Sequence, residues 1–410
     1  MDHVSSRYVL LGALACLPAC SSAVGGVAMP PGNGAPPPVM LTPDPGYGTR
    51  STPAPAPTPA VCSPETRFTG APITDGDNTW SWVPFPDAHC RDGSPTGIGI
   101  RRKEGSTKLA IYFEGGGACF HDQSCTISLA NFDQNAFNLW STASGSGGIF
   151  DASRAENPLR DFNMVYVPYC TGDVHAGDVA HVDVPGNAPK DQWFVGYRNV
   201  QYYLDRLVPT FAHASQVVVT GISAGGFGAA LNYDRIAQAF CHSNVQLLDD
   251  SGPPMSDEYL APCLQQRWRD LWNLDAVLPA DCPACRGADG GGIVNYVPYL
   301  AAKYPNARLG LISANQDGII SMFFGYGANN CAGLNGTSAG MSGATFEAGL
   351  DDLRNRYLKS VPNWGEYIVP STSHTWTGAL TFYTTKVNGT NLTDWVNQLV
   401  TNDKVSYVAP

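Results

Sequence analysis

Between residues 216 and 240 the chain passes from one kind of backbone to another in very few residues. Gln216–Thr220 reads QVVVT, a β-branched run of the kind that forms a buried parallel strand. It enters Gly221-Ile222-Ser223-Ala224-Gly225-Gly226 directly, and a stretch rich in small residues with the length of a helix then runs from Ala224 to Phe240. A G-x-S-x-G turn between a strand and a helix lifts its serine above the sheet edge in a strained conformation. The glycines are needed where side chains would collide with strand or helix. The helix start adds backbone donors and a positive dipole end. Ser223 is therefore the candidate nucleophile.

The rest of the pattern fits one such sheet. Lys108–Glu114, Met164–Tyr169, Val245–Leu248, Arg308–Ser313 and Glu366–Val369 read as further strands. Val200–Phe211, Thr345–Ser360 and Asn391–Leu399 have helical spacing. Strands alternating with helices predict an α/β fold with a doubly wound, mostly parallel sheet. Residues 251–304 interrupt it as a lid-like insertion that carries aromatics and Cys263, Cys282 and Cys285. Cys282-Pro283-Ala284-Cys285 lacks the second ligand pair of a zinc site and reads as a disulfide.

Other groups can be placed around Ser223. Glu114-Gly115-Gly116-Gly117-Ala118-Cys119 follows an earlier strand, where hydrolases of this architecture take oxyanion donors. The expected donors are the N–H groups of Gly116 or Gly117 together with that of Ala224. In chain order the acid and then the histidine follow the serine. Only His242 and His374 lie after Ser223, and His374 follows a strand, where the base belongs. Asp317, at the end of RLGLISANQD, is the candidate acid; Asp249 and Asp250 in LLDDSG are the alternative. Cys119 and Cys125 bracket a short loop beside the glycines and are expected to be bonded to each other.

Composition limits what else the chain does. Of its 410 residues only 14% are charged, and the net charge is −11, so a basic footprint for nucleic acid is lacking. Arg7 precedes an apolar run, Tyr8–Ala19, that is too short to span a bilayer and reads as a signal peptide. It ends in Leu17-Pro18-Ala19-Cys20, a lipobox-like sequence in which Cys20 is the expected lipidation site; ordinary secretory cleavage near Ala23 is the alternative. Residues 21–60, rich in Pro, Gly and Ala, read as a disordered tether, with the folded domain over 61–410. Of the twelve cysteines, Cys16 and Cys20 lie in the extreme N-terminus, and the other ten, in an exported chain, read as disulfides. Neither metal nor cofactor is expected, and the only membrane contact would be through the lipid anchor.

The stretches YFEGGGACF, VPYCTGD, GISAGGFGAALN, DDSG, SANQD and STSHTW together resemble the pectin acetylesterase family, with its Notum-like serine carboxylesterases. The resemblance covers about Arg101 to Trp376. It implies an α/β-hydrolase that cleaves acyl esters, usually carbohydrate acetyl esters, without metal. It places the triad at Ser223, Asp317 and His374, and it suggests a Cys90–Cys170 disulfide. Notum-like members carry Trp where this chain has Gly117, which alters the acyl pocket. The expectation is an extracytoplasmic monomeric esterase acting on an acetylated carbohydrate. A lipase or polyester depolymerase, or a carbohydrate-binding surface lipoprotein, is the alternative.

Overall fold

The computed structural model describes residue 57 and residues 68–286, 292–401 and 405–410, all within one compact unit, Arg50–Pro410. Cys20, the leader and residues 21–56 of the expected tether lie outside the described residues.

Nine strands form the central sheet: β1 Ser81–His89, β2 Pro95–Arg101, β3 Lys108–Phe113, β4 Asn163–Val167, β5 Gln216–Ile222, β6 Asn244–Asp250, β7 Leu309–Ala314, β8 Trp364–Val369 and β9 Tyr407–Val408. Their order is β1-β2-β4-β3-β5-β6-β7-β8-β9. From β4 to β9 every pairing is parallel. Only β1 and β2 run antiparallel to their neighbours. The sequence did not announce these two. Pro84 and Pro86 within SWVPFPDAH argue against a strand, and they are tolerated because β1 is an edge strand.

Both faces of the sheet are covered. Along β3, Leu109, Ile111 and Phe113 enter one core while Ala110 and Tyr112 enter the other. Val217 and Val219 of β5 face the first core and Val218 the second. This explains the unbroken apolar run, because a strand buried on both faces has no polar side to show. Gly196–Thr210 (α1), Ala224–Ala239 (α2) and Leu392–Val400 (α3) are three of the covering helices. The stretch expected to be one helix over 345–360 is α-helical over Gly343–Asp352 and continues as a π-helical turn, Leu353–Leu358.

Disulfides join Cys90 to Cys170, Cys119 to Cys125, Cys263 to Cys331 and Cys282 to Cys285. The last pair is thus not available as free thiolates. Such crosslinks persist in oxidising compartments outside the cytosol. Among the described residues no helix is long and apolar enough to cross a membrane.

Candidate active site

Ser223 sits between β5 and α2 with φ 58° and ψ −124°, a region that non-glycine residues rarely enter. Its N–H donates to the Asp250 carbonyl at 2.7 Å, which holds the turn against the neighbouring strand. The two glycines of the motif are required sterically. A Cβ on Gly221 would lie 2.2 Å from the Gly225 carbonyl oxygen, and one on Gly225 would lie 2.0 Å from that of Phe113. The backbone can cross here only without side chains.

Asp317 ends the loop after β7 and caps the helix Gly318–Phe324. One carboxylate oxygen, Oδ1, accepts from the N–H groups of Ile319 and Ile320, both at 2.9 Å. The other, Oδ2, lies 2.7 Å from His374 Nδ1. Asp317 is completely buried. A carboxylate only accepts, so Nδ1 carries the hydrogen, and in the neutral imidazole Nε2 then has a free lone pair. His374 Nε2 is itself buried and has no hydrogen-bond partner. The loops of Asp317 and His374 are also laced together: Ser371 N–H donates to Asn315 Oδ1 at 2.9 Å, and Gly318 N–H to the Thr372 carbonyl at 3.2 Å.

Beside Ser223 runs the glycine loop after β3. Gly116 has φ 154° and Gly117 φ 79°. Gly117, Ala118, Ser223 and Ala224 line one common cleft. Ala224 is the first residue of α2, where backbone N–H groups have no partner within the helix. A buried cluster that sequence reasoning missed supports the loop from behind. Glu114 Oε2 accepts from Tyr169 N–H at 3.1 Å. His175 Nε2 lies 2.8 Å from the Glu114 carbonyl oxygen, so it carries the hydrogen and donates it. The Tyr169 ring fills the space that a Cβ on Gly116 would need, its nearest atom only 2.9 Å away. Burial drops the His175 imidazole to about 4, so it is neutral at ordinary pH. YFEGGGACF and VPYCTGD carry Glu114 and Tyr169, but nothing in those stretches says that the two side chains meet the same loop.

Burial pushes the Glu114 carboxyl up from 4.5 to about 7. Between those values the folded chain holds a proton there that the unfolded chain has released. Glu114 therefore subtracts stability as pH rises from about 4.5 to about 7. Glu114→Gln removes this titration. Melting curves of both proteins across that range should show the variant gaining on the wild type as pH rises. A constant gap in Tm would show that the carboxyl titrates normally. Glu366, raised to about 7 by burial, is common to both proteins and cancels in the difference.

The cleft at Ser223 spans about 540 Å³, part of it open to solvent. Its walls are apolar and include Phe227, Trp268, Trp272, Ile293, Ile320 and Phe323. Trp268 and Trp272 come from the helix Pro262–Trp272 in the insertion, stacked with centroids 5.7 Å apart. Trp272 Nε1 donates to the Cys119 carbonyl at 3.1 Å, which ties the insertion to the disulfide loop. The sequence had marked this insertion as a lid or wall. Which aromatics enter the cleft was not legible, because helical spacing alone does not distinguish pocket from core.

Residues 83–285 match the sequence profile described as Pectinacetylesterase. The palmitoleoyl-protein carboxylesterase notum2 of Xenopus laevis is 33% identical over 213 residues, which is 47% of this chain and 42% of that protein. The human palmitoleoyl-protein carboxylesterase NOTUM is 30% identical over 153 residues, 36% of this chain and 30% of that protein. The chain thus spans less than half the length of these curated relatives. The solved structure of the Wnt deacylase Notum from Drosophila superposes with a TM-score of 0.56 at 20% identity, covering 80% of this chain and 95% of that one. That likeness establishes the α/β-hydrolase fold. Over the stretch 83–285, which carries Ser223 and the glycine loop, the chain is similar to the pectinacetylesterase family.

Proposed function

We propose that this protein is a serine carboxylic ester hydrolase with Ser223 as nucleophile, His374 as base and Asp317 as the acid that orients it. The observation that carries the reading is the Asp317–His374 bond, which leaves a basic Nε2 without a partner in the fold. Ser223 Oγ attacks the acyl carbon as His374 Nε2 takes its proton. The N–H groups of Gly116 or Gly117 and of Ala224 receive the developing oxyanion. The proton passes to the leaving alcohol, and water then releases the acyl group by the same steps in reverse. Export with lipid attachment at Cys20, as in a bacterial envelope lipoprotein, belongs to the same proposal.

The cleft bears on the substrate. An acetyl group, as on a carbohydrate, would touch only part of these apolar walls. Walls of Trp268, Trp272, Phe227 and Phe323 suit a longer acyl chain, so the lipase-like alternative is favoured over a carbohydrate deacetylase. At about 0.8 kcal/mol per buried methylene, the two extra methylenes of butyrate are worth roughly tenfold in kcat/KM over acetate. A series of p-nitrophenyl acetate, butyrate and octanoate tests this. A preference for acetate would restore the acetyl ester reading.

A further inference from the structure

Asp250, with Asp249 the alternative acid in LLDDSG, leads into the turn Gly252-Pro253-Pro254. The structure gives it other partners. Its Oδ2 accepts from Trp376 N–H at 2.9 Å, Thr377 N–H at 2.7 Å and Thr377 Oγ1 at 2.7 Å, and its Oδ1 accepts from Ser251 Oγ at 3.0 Å. The turn falls to Asp249, whose Oδ1 accepts from Gly252 N–H at 2.8 Å. Asp250 also receives the Ser223 N–H on its backbone carbonyl. One buried residue therefore grips the nucleophile through its main chain and the histidine loop through its side chain. The loop has reason to be held. Thr375, between His374 and the gripped residues, has φ 65°, a real cost for a β-branched residue.

We propose that Asp250 is a positioning residue that fixes His374 relative to Ser223, by clamping the backbone of Trp376 and Thr377 while its own carbonyl anchors the elbow. The proposal rests on the esterase reading for its kinetic consequence, but the clamp itself is a matter of structure. A carboxylate that receives three donors on one oxygen holds them more strongly than a neutral amide would. Asp250→Asn keeps the shape and loses the charge. A small displacement of a catalytic group costs up to about 100-fold, so kcat should fall roughly 10- to 100-fold while KM stays within about twofold.

A second pair of variants separates positioning from packing. Thr377→Val keeps the side-chain volume and removes one donor, whereas Thr377→Ser keeps the donor and removes a methyl. The clamp predicts that Val lowers kcat and that Ser restores it relative to Val. A packing role predicts the opposite order. Amide hydrogen exchange at Trp376 and Thr377 is the third readout and needs no activity: it should accelerate in Asp250→Asn beyond any global change. Unchanged kcat with unchanged exchange at those amides overturns the proposal, as does the packing order in the Thr377 pair. If Asp250→Asn fails to fold, the Thr377 pair decides. If the wild type cleaves no ester, exchange in the folded Asp250→Asn protein decides the clamp, and it is the esterase reading that fails.

Discussion

Ser223→Ala is expected to lower kcat on a p-nitrophenyl ester by roughly 10⁶-fold, the scale of losing a serine nucleophile. The substitution removes one oxygen from a turn held by backbone contacts: the Ser223 N–H on the Asp250 carbonyl, and the Gly226 N–H on the Ser223 carbonyl at 2.9 Å. Neither contact uses the hydroxyl, so the variant should melt close to the wild type. The same variant also separates catalysis from binding. A folded Ser223→Ala protein that retains more than about a hundredth of the activity would exclude this serine as the nucleophile, because water activated by the remaining groups supplies far less.

Asp317→Asn should cost about 10⁴-fold in turnover with the fold intact. The reason lies in how the carboxylate is divided. Oδ1 caps the helix through Ile319 and Ile320, and an amide oxygen can take over that work. The amide NH₂ then occupies the place of Oδ2, facing His374 Nδ1. Two donors cannot face each other, so the imidazole must move its hydrogen to Nε2, the atom from which the proton has to be absent for base catalysis. Steady-state kinetics with a melting curve on the same preparation checks this. If Asp317→Asn keeps near-normal kcat while folded Asp250→Asn loses four orders of magnitude, the acid is Asp250.

Much of this was legible because it is local. The elbow is announced by a β-branched strand, two glycines at fixed offsets and a helix, all within residues 216–240. Asp317 and His374 followed from chain order and from the strands before them. What stayed hidden was set by contacts far apart in sequence. Asp250 meets Trp376 and Thr377 across 126 and 127 positions, and nothing in LLDDSG distinguishes a turn-holding aspartate from one that grips a remote loop. The two adjacent carboxylates have different work only because alternate residues of a strand point to opposite faces. His175 escaped notice because only histidines after Ser223 were candidates, and its role is to support the loop on which Gly116 and Gly117 lie. The antiparallel pair β1 and β2 was obscured by prolines that only an edge position explains.

The strand order has a consequence for how the protein is made. β1 to β5 occupy one contiguous half of the sheet, and β6 to β9 the other. During synthesis the half that bears Ser223 is complete before any strand of the other half has appeared. At that stage β5, with Val217, Val218 and Val219, is an unpaired edge awaiting β6, and neither Asp317 nor His374 has been delivered. A chain that pauses there presents a long β-branched edge to its neighbours, the geometry that favours aggregation. The hazard passes only when Asn244–Asp250 docks, and its last residue, Asp250, is the one that grips the histidine loop.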